Sequence, residues 1–379
     1  MLFLSATYPG PPETAVSGTH RRMRVLLDAC SRLNRSLHIA FLIRPDQDQP
    51  ILEPDRLADD LRTYWGVSAT CHIIELEGRE NPHDDAGSAL RVLFEPLDVR
   101  EDRFYSSFVQ ADAIGAIRTL LNTIGPGLLF VHRLAAILPV LEIAAGELPS
   151  AVVFDLDDVE HKARYRALRE LGFYLSKIID YARVLGLARA EAAGSRLADA
   201  SLVCSVQDKR YLDRLRRYGR IDVLPNTVRI PDLRDSDREG HSRHRALFIG
   251  DLRYEPNAVA VDLLCRSIWP TVRARCPRAE LVIVGRHPPG RVMPSDLPGI
   301  VFAGFVDDLD EVYASCNVVC CPITFGGGTR IKLCEAAAYG KAIVSTEIGA
   351  EGLDFTDGTN IVIQDDLDEF AHAVADLFE

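Results

Sequence analysis

Pro322-Ile-Thr-Phe-Gly-Gly-Gly-Thr-Arg-Ile-Lys-Leu-Cys-Glu-Ala-Ala-Ala-Tyr-Gly-Lys-Ala-Ile-Val-Ser-Thr-Glu-Ile-Gly-Ala-Glu-Gly352 is the stretch on which the reading of this chain turns. Val318-Val319-Cys320-Cys321 before it is a short apolar run, the pattern of a buried parallel strand. Gly326, Gly327 and Gly328 follow Pro322, and residues without a Cβ let another group approach the backbone closely. Thr329 is placed to cap a helix whose apolar face is Ile331, Leu333, Cys334, Ala337 and Ala338. Gly340 is a stop signal, and Ala342-Ile-Val344 reads as the next strand. The unit is therefore strand, glycine loop, helix, strand.

A helix N-terminus behind a glycine loop offers free N–H groups and the positive end of a dipole, which suits phosphate. Arg330 and Lys332 put cations in the first turn, where a helix dipole favours acids, and an anion nearby makes sense of them. Glu335, further along the same helix, is placed to accept hydrogen bonds from ribose hydroxyls. On physical grounds alone, a solvent loop with a surface glutamate stands level with this reading.

The run Gly326 to Thr346, followed by Gly349-Ala350-Glu351-Gly352-Leu353, resembles the donor-binding signature of group 1 (family 4) retaining glycosyltransferases. The resemblance implies an α/β chain of the GT-B fold: two Rossmann-like domains, their parallel sheets facing a central cleft. It implies that Glu335 holds the nucleotide ribose and that Gly327, Gly328, Thr329, Arg330, Ile331 and Glu351 belong to the donor site. Many members carry a second glutamate eight residues before the first. Here that position is Gly327, which matches a Gly-rich subgroup.

At 379 residues, two domains of ordinary size are expected, and 47% hydrophobic residues suffice for real cores. A net charge of −12 argues against nucleic acid as a partner. The nine cysteines include no Cys-x-x-Cys pair and read as reduced thiols of a cytoplasmic protein, with no zinc site. Met1-Leu-Phe-Leu-Ser-Ala lacks the basic start of a signal peptide. The best spanning candidate, Gly127 to Ala145, is broken by His132, Arg133, Pro139 and Glu142.

The expected domains are 1–226 on the acceptor side, a linker at 227–245 rich in charge, and 246–379 on the donor side. In the first, Leu2-Phe3-Leu4 reads as a strand and a helix begins near Thr19, with Val25, Leu26, Ala29 and Leu33 on one face. Gly18 and Arg21 resemble the family's acceptor-side loop, and a solvated basic face is the alternative. Glu80 to Gly87 reads as a polar loop. Gly127 to Val131 is an apolar strand that delivers His132 at its carboxyl end, where open α/β sheets bind ligands. This histidine resembles the one that faces the donor sugar in the family. Ala151 to Phe154 is a strand followed by Asp155, a candidate for sugar or acceptor contact, while Asp157 or Asp158 reads as a helix N-cap. Residues 161–198 carry eight Lys/Arg against three Asp/Glu, with apolar positions including Leu168, Leu171, Leu175, Ile178 and Ile179. They read either as a helical segment packed on its own domain or as a peripheral contact with an anionic membrane surface.

In the second domain, Gly250, Arg253 and Asn257 resemble the family's second diphosphate-contacting loop, with Arg253 as the charge on phosphate. Arg286 is expected near the base, with the Gly304–Val306 turn. Asp307 to Tyr313 reads as a helix with acids in its first turn. Leu367 to Phe378 reads as the last helix, whereas family members carry a further one that crosses back onto the first domain.

Together these point to a retaining hexosyltransferase that uses a UDP- or GDP-sugar and requires no cofactor or bound metal. Catalytic roles fall to His132, Arg253 and Lys332. The acceptor is a glycan, a lipid-linked oligosaccharide or a small molecule, in the manner of polysaccharide biosynthesis. Two alternatives stand beside it: a catalytically silent module that binds a nucleotide-sugar, and a nucleotide-sugar 2-epimerase.

Overall fold

The computed structural model describes residues 1–11, 18–33, 36–44, 50–77, 97–102, 104–170, 172, 174, 177–231, 244–286, 297–306 and 308–379. The expected loop at Glu80 to Gly87, most of the expected linker, Leu171, Leu175 and Asp307 lie outside these residues. The chain divides into two units, Met1–Pro225 and Asn226–Glu379.

The first unit is built on β1 (Leu2–Ser5), β2 (His38–Ile43), β3 (Thr70–Glu75), β4 (Leu128–His132), β5 (Ala151–Asp157), β6 (Ala200–Val203) and β7 (Ile221–Val223). They form one parallel sheet in the order β3-β2-β1-β4-β5-β6-β7. Successive strand residues point to opposite faces, and here both faces are covered. Leu2 and Leu4 enter one apolar cluster with Ala40, Leu42, Leu129 and Val131, and Phe3 enters the other with Ile39 and Phe41. The first helix, Gly18–Leu33, buries Met23, Leu26, Leu27 and Cys30. Val25 and Leu33, expected on that face, are instead 38% and 81% exposed. The buried stripe is turned by less than one residue's step about the helix axis, so that the adjacent pairs Arg22–Met23 and Leu26–Leu27 both face inward.

The second unit contains β8 (Arg245–Ile249), β9 (Glu280–Val284), β10 (Ile300–Gly304), β11 (Val318–Cys321), β12 (Ala342–Ser345) and β13 (Val362–Ile363). They make a parallel sheet in the order β10-β9-β8-β11-β12-β13. One core holds it together, from Phe248 and Trp269 to Tyr313, Leu333 and Phe370. In each sheet the order reverses beside the first strand of the unit. Ligands of open α/β sheets bind beyond the carboxyl ends of the strands at such a point. The reversal therefore brings together the segments that follow β8 and β11: Gly250 and the glycine loop. Among the described residues no helix is long and apolar enough to cross a membrane.

Candidate functional site

In the second unit, β11 runs into the loop at Gly326 to Gly328 and then the helix Ile331–Ala338. Gly326 has φ 117° and Gly328 φ 66°, conformations that side chains with a Cβ rarely adopt. The helix buries Ile331, Leu333, Glu335 and Ala336, and Ala337 is exposed rather than part of its apolar face. Its N-cap position is Arg330 and not Thr329. The Thr329 hydroxyl instead accepts a hydrogen bond from Asn226 Nδ2 at 2.8 Å.

Arg330 is 7% exposed and folds back on the loop, where Nη1 donates to the carbonyls of Gly327 and Gly328. Its Nε and Nη2 are buried without a hydrogen-bond partner among the described residues. Buried guanidinium N–H groups are costly to leave unpaired, so the loop is suited to an anion.

Lys332, two residues on, points at the end of β8. Its Nζ donates to Asn257 Oδ1 at 2.8 Å and lies 4.1 Å from the Phe248 ring centroid. Asn257 in turn donates from Nδ2 to the Asp251 carbonyl at 2.9 Å, which fixes which amide atom faces the lysine. Burial pushes the Lys332 ammonium down to about 8; Cys321 works against the shift and Arg330 adds to it. Gly250 makes the approach possible, since a Cβ there would stand 2.8 Å from Asn257 Nδ2 and 2.9 Å from Lys332 Nζ.

Glu335 is 9% exposed and accepts a hydrogen bond from the Tyr313 hydroxyl at 2.9 Å. Arg253 is turned onto Asp251, with Nη2 2.6 Å from Oδ2, and its side chain is 40% exposed. Arg286 follows β9; its guanidinium lies 4.7 Å from the Phe305 ring centroid, and its carbonyl accepts from Leu252 N at 2.7 Å. Glu351 is half-buried, directly after the short helix Glu347–Ala350. Gly250, Asn257, Lys332, Arg330 and the glycine loop thus converge at the reversal of the sheet. Glu335 lies on the same helix, Arg253 and Arg286 flank this group, and Glu351 follows the short helix after β12.

The first unit places its candidates differently. His132 ends β4 with no exposed surface; its Nδ1 is 3.0 Å from Ser5 Oγ and its ring stacks on Phe3. Burial, then Arg133, Arg22 and His20, push its pKa well down, so the imidazole is neutral. Asp155 also has no exposed surface and is gripped by Arg22, through Nε at 2.9 Å and Nη2 at 2.5 Å. Arg22 further donates to the Leu224 carbonyl at 2.8 Å. It is this arginine, and not the half-buried Arg21, that turns inward. Gly18 is the exposed first residue of the helix. Asp157 and Asp158 do not cap a helix, because the next one starts at Glu160 and Asp157 still belongs to β5.

Two residues stand out that the sequence reading did not single out for chemistry. Arg133 has φ 72° and Asp157 φ 59°, and they sit at the carboxyl ends of the paired strands β4 and β5. The remaining non-glycine residue with positive φ among the described ones, Arg216, is an ordinary left-handed helix C-cap. Strained backbone of this kind concentrates at functional sites. Arg133 reaches Glu160 Oε1 at 3.7 Å and Thr19 Oγ1 at 3.4 Å. Asp157 lies 3.4 Å from Arg22 Nε; burial raises its pKa to about 6, against the pull of Arg133 and Arg22. The signal in the sequence was thin, since a dihedral outlier at an arginine or aspartate has no compositional mark. Among the described residues no group of three or more His, Cys, Asp or Glu side chains is placed to hold a metal ion.

Residues 243–379 match the family described as "Glycosyl transferases group 1". A phosphatidyl-myo-inositol mannosyltransferase of Mycolicibacterium smegmatis is 32% identical over 169 residues, 41% of this chain and 42% of that protein. The match thus spans about two fifths of the curated relative's length, 42%. Among solved structures, sucrose-phosphate synthase from Thermosynechococcus elongatus is similar over 100% of this chain and 89% of its own, with a TM-score of 0.66 at 15% identity. Anabaena HepE, in complex with UDP and glucose, is similar over the same shares, with a TM-score of 0.62 at 14% identity. At such identities the likeness shows the fold, which is GT-B, with one Rossmann-like sheet in each unit.

Proposed function

We propose that the chain transfers a sugar from a nucleotide-diphosphate sugar to an acceptor, a reading supported by the match of residues 243–379 to the group 1 glycosyltransferases. The observation that carries the reading is the convergence of Lys332, Asn257 and Gly250 with Arg330 and the glycine loop at the sheet reversal. When the bond from the anomeric carbon to the diphosphate oxygen breaks, negative charge collects on the diphosphate. Lys332, the unpaired N–H groups of Arg330 and the start of the helix Ile331–Ala338 then stabilise the leaving group, where donors placed in advance count most. Arg253 joins them by leaving its exposed pairing with Asp251.

Glu335 receives the ribose hydroxyls, with Gly327, Gly328, Thr329, Ile331 and Glu351 shaping the donor pocket. The Arg286–Phe305 pair forms a platform on which a base stacks. The sugar is a hexose carried on UDP or GDP, transfer proceeds with retention at the anomeric carbon, and no bound metal or other cofactor is assigned a step. No nucleophile is assigned.

His132 and Asp155 act as internal supports rather than as ligands, being fully buried. The acceptor-side role passes to Asp157 and Arg133, which carry the backbone strain. The acceptor is a glycan or a lipid-linked saccharide. The helix Lys177–Leu197 supports a peripheral membrane contact: Ile178 is 80% and Leu185 57% exposed, with Arg183 and Arg189 exposed beside them.

The test is thermal unfolding of the full chain with UDP, GDP, ADP and TDP, together with release of nucleoside diphosphate from the matching sugar donors. A ligand at about 100 times its dissociation constant stabilises by about 2.7 kcal/mol, which shifts an unfolding midpoint by a few degrees. One nucleotide is expected to do this, and Lys332→Ala should abolish turnover. Binding without turnover on any acceptor would make the protein a binding module, and no binding at all would end the donor-site reading.

A further inference from the structure

The donor reading assigns Glu335 to the ribose but does not say what aims its carboxylate. Glutamate has three rotatable bonds, and a buried carboxylate meets a ligand well only if neighbours fix its plane. One such neighbour is Tyr313, which has no exposed surface and belongs to the core through the helix Leu309–Ala314. Its hydroxyl is 2.9 Å from Glu335 Oε2 and 3.3 Å from the Lys332 carbonyl. A phenol has one proton. The shorter, charge-assisted contact takes it, so the bond is directed at the carboxylate.

The Tyr313 ring is itself held. It stacks on Tyr339 with centroids 4.6 Å apart and planes 10° from parallel, and the Tyr339 hydroxyl donates to Asp310. Asp310 lies in the first turn of the helix that carries Tyr313, and Tyr339 directly follows the helix that carries Glu335. The two rings therefore clamp one helix against the other and leave the phenol little freedom to swing away. A carboxylate whose plane is set in this way meets two adjacent hydroxyls of a ribose in one orientation, and a deoxyribose offers it only one.

Resting on the assignment of Glu335 to the ribose, we propose that Tyr313 is a positioning residue for that carboxylate, braced by Tyr339. The consequence is that Tyr313 sets the preference for ribonucleotide over 2′-deoxyribonucleotide donors. A purely structural tyrosine would affect both nucleotides alike, so the ratio of their affinities separates the two roles.

The experiment is calorimetric titration of the full chain with UDP, GDP and ADP and with their 2′-deoxy forms. Wild type, Tyr313→Phe, Tyr339→Phe and Glu335→Ala are compared. Tyr313→Phe should weaken the preferred ribonucleotide by about tenfold or more, the scale of one hydrogen bond to a charged group, while the 2′-deoxy form changes little. Tyr339→Phe keeps the stacked ring and loses only the tie to Asp310, so it should lower the ratio by a smaller factor. If Tyr313→Phe folds poorly, this second variant still carries the test. A wild-type ratio in both tyrosine variants, with the ratio lost in Glu335→Ala, overturns the positioning role and leaves the ribose assignment standing. A wild-type ratio in Glu335→Ala overturns the ribose assignment, and the positioning role with it.

Discussion

Lys332 offers the sharpest test of the donor site, because its ammonium titrates within reach of ordinary buffers. Burial holds its pKa at about 8, with Arg330 lowering it further and Cys321 opposing. A bound diphosphate places two or more negative charges beside the ammonium and lifts the pKa back up. Binding above the unliganded pKa must therefore take up a proton. With a pKa of about 8 the lysine is about nine-tenths charged at pH 7 and about one-tenth charged at pH 9. Affinity for the preferred nucleoside diphosphate should accordingly be flat near neutrality. It should then fall by about tenfold per pH unit above about pH 8, until the pKa of the complex is reached. The assay is titration calorimetry in two buffers of different ionisation enthalpy, which counts protons directly. Uptake should rise from near zero at about pH 7 to about one proton per ligand at about pH 9, and Lys332→Met should show neither the slope nor the uptake. The free protein should show the opposite trend. The unfolded chain holds this proton more tightly than the folded one, so stability rises with pH through the window between about 8 and the ordinary lysine value. A flat affinity across the range, or the same slope in Lys332→Met, would refute the placement of Lys332 on the diphosphate.

Three further predictions concern neighbouring features. Gly250→Ala puts a methyl group 2.9 Å from Lys332 Nζ, the end of a flexible side chain; turnover should fall by about tenfold or more while the unfolding midpoint moves little, as donor kinetics and calorimetry would report. Asp155→Ala leaves the buried Arg22 guanidinium without its two-point partner, and chemical denaturation should show a loss of about 3–5 kcal/mol. Asp157 carries a folded pKa raised to about 6, so its share of stability is present below the ordinary aspartate pKa and is lost as pH rises through about 6. Asp157→Asn, which tolerates the left-handed backbone, should remove that slope from denaturation curves taken between about pH 4 and 7 and lower turnover with any acceptor found.

Much of this molecule is written locally. The thirteen strands among the described residues are mostly short apolar runs between turn residues, a pattern that reflects which side chains can be buried on both faces of a parallel sheet. The stretch from Val318 to Ser345 shows strand, glycine loop, helix and strand in order, and the glycines mark their left-handed backbone directly. Lys332, Asn257 and Gly250 could be placed in two segments by likeness to a family, 75 residues apart between Asn257 and Lys332. That they meet at 2.8 Å follows from sheet order, because β8 and β11 are neighbours in space and not in the chain.

Where the structure adds to the sequence, the physical reason is shared as well. His132 and Asp155 are polar residues at strand ends, the right place for ligands, and the sequence does not tell how deeply a strand end is buried. Arg22 is the residue that grips Asp155. It sits four residues before Leu26 and eight before Cys30, on the buried stripe of its helix, yet in the sequence it is one of two adjacent arginines. Thr329 had the chemistry of a cap, but Arg330 took the position by folding onto the loop carbonyls. Composition and periodicity determine which elements form and in what order, since these depend on near neighbours along the chain. Which buried charges pair, which guanidinium is left over, and which backbone residues bear strain depend on contacts between distant segments, and only the tertiary structure decides them.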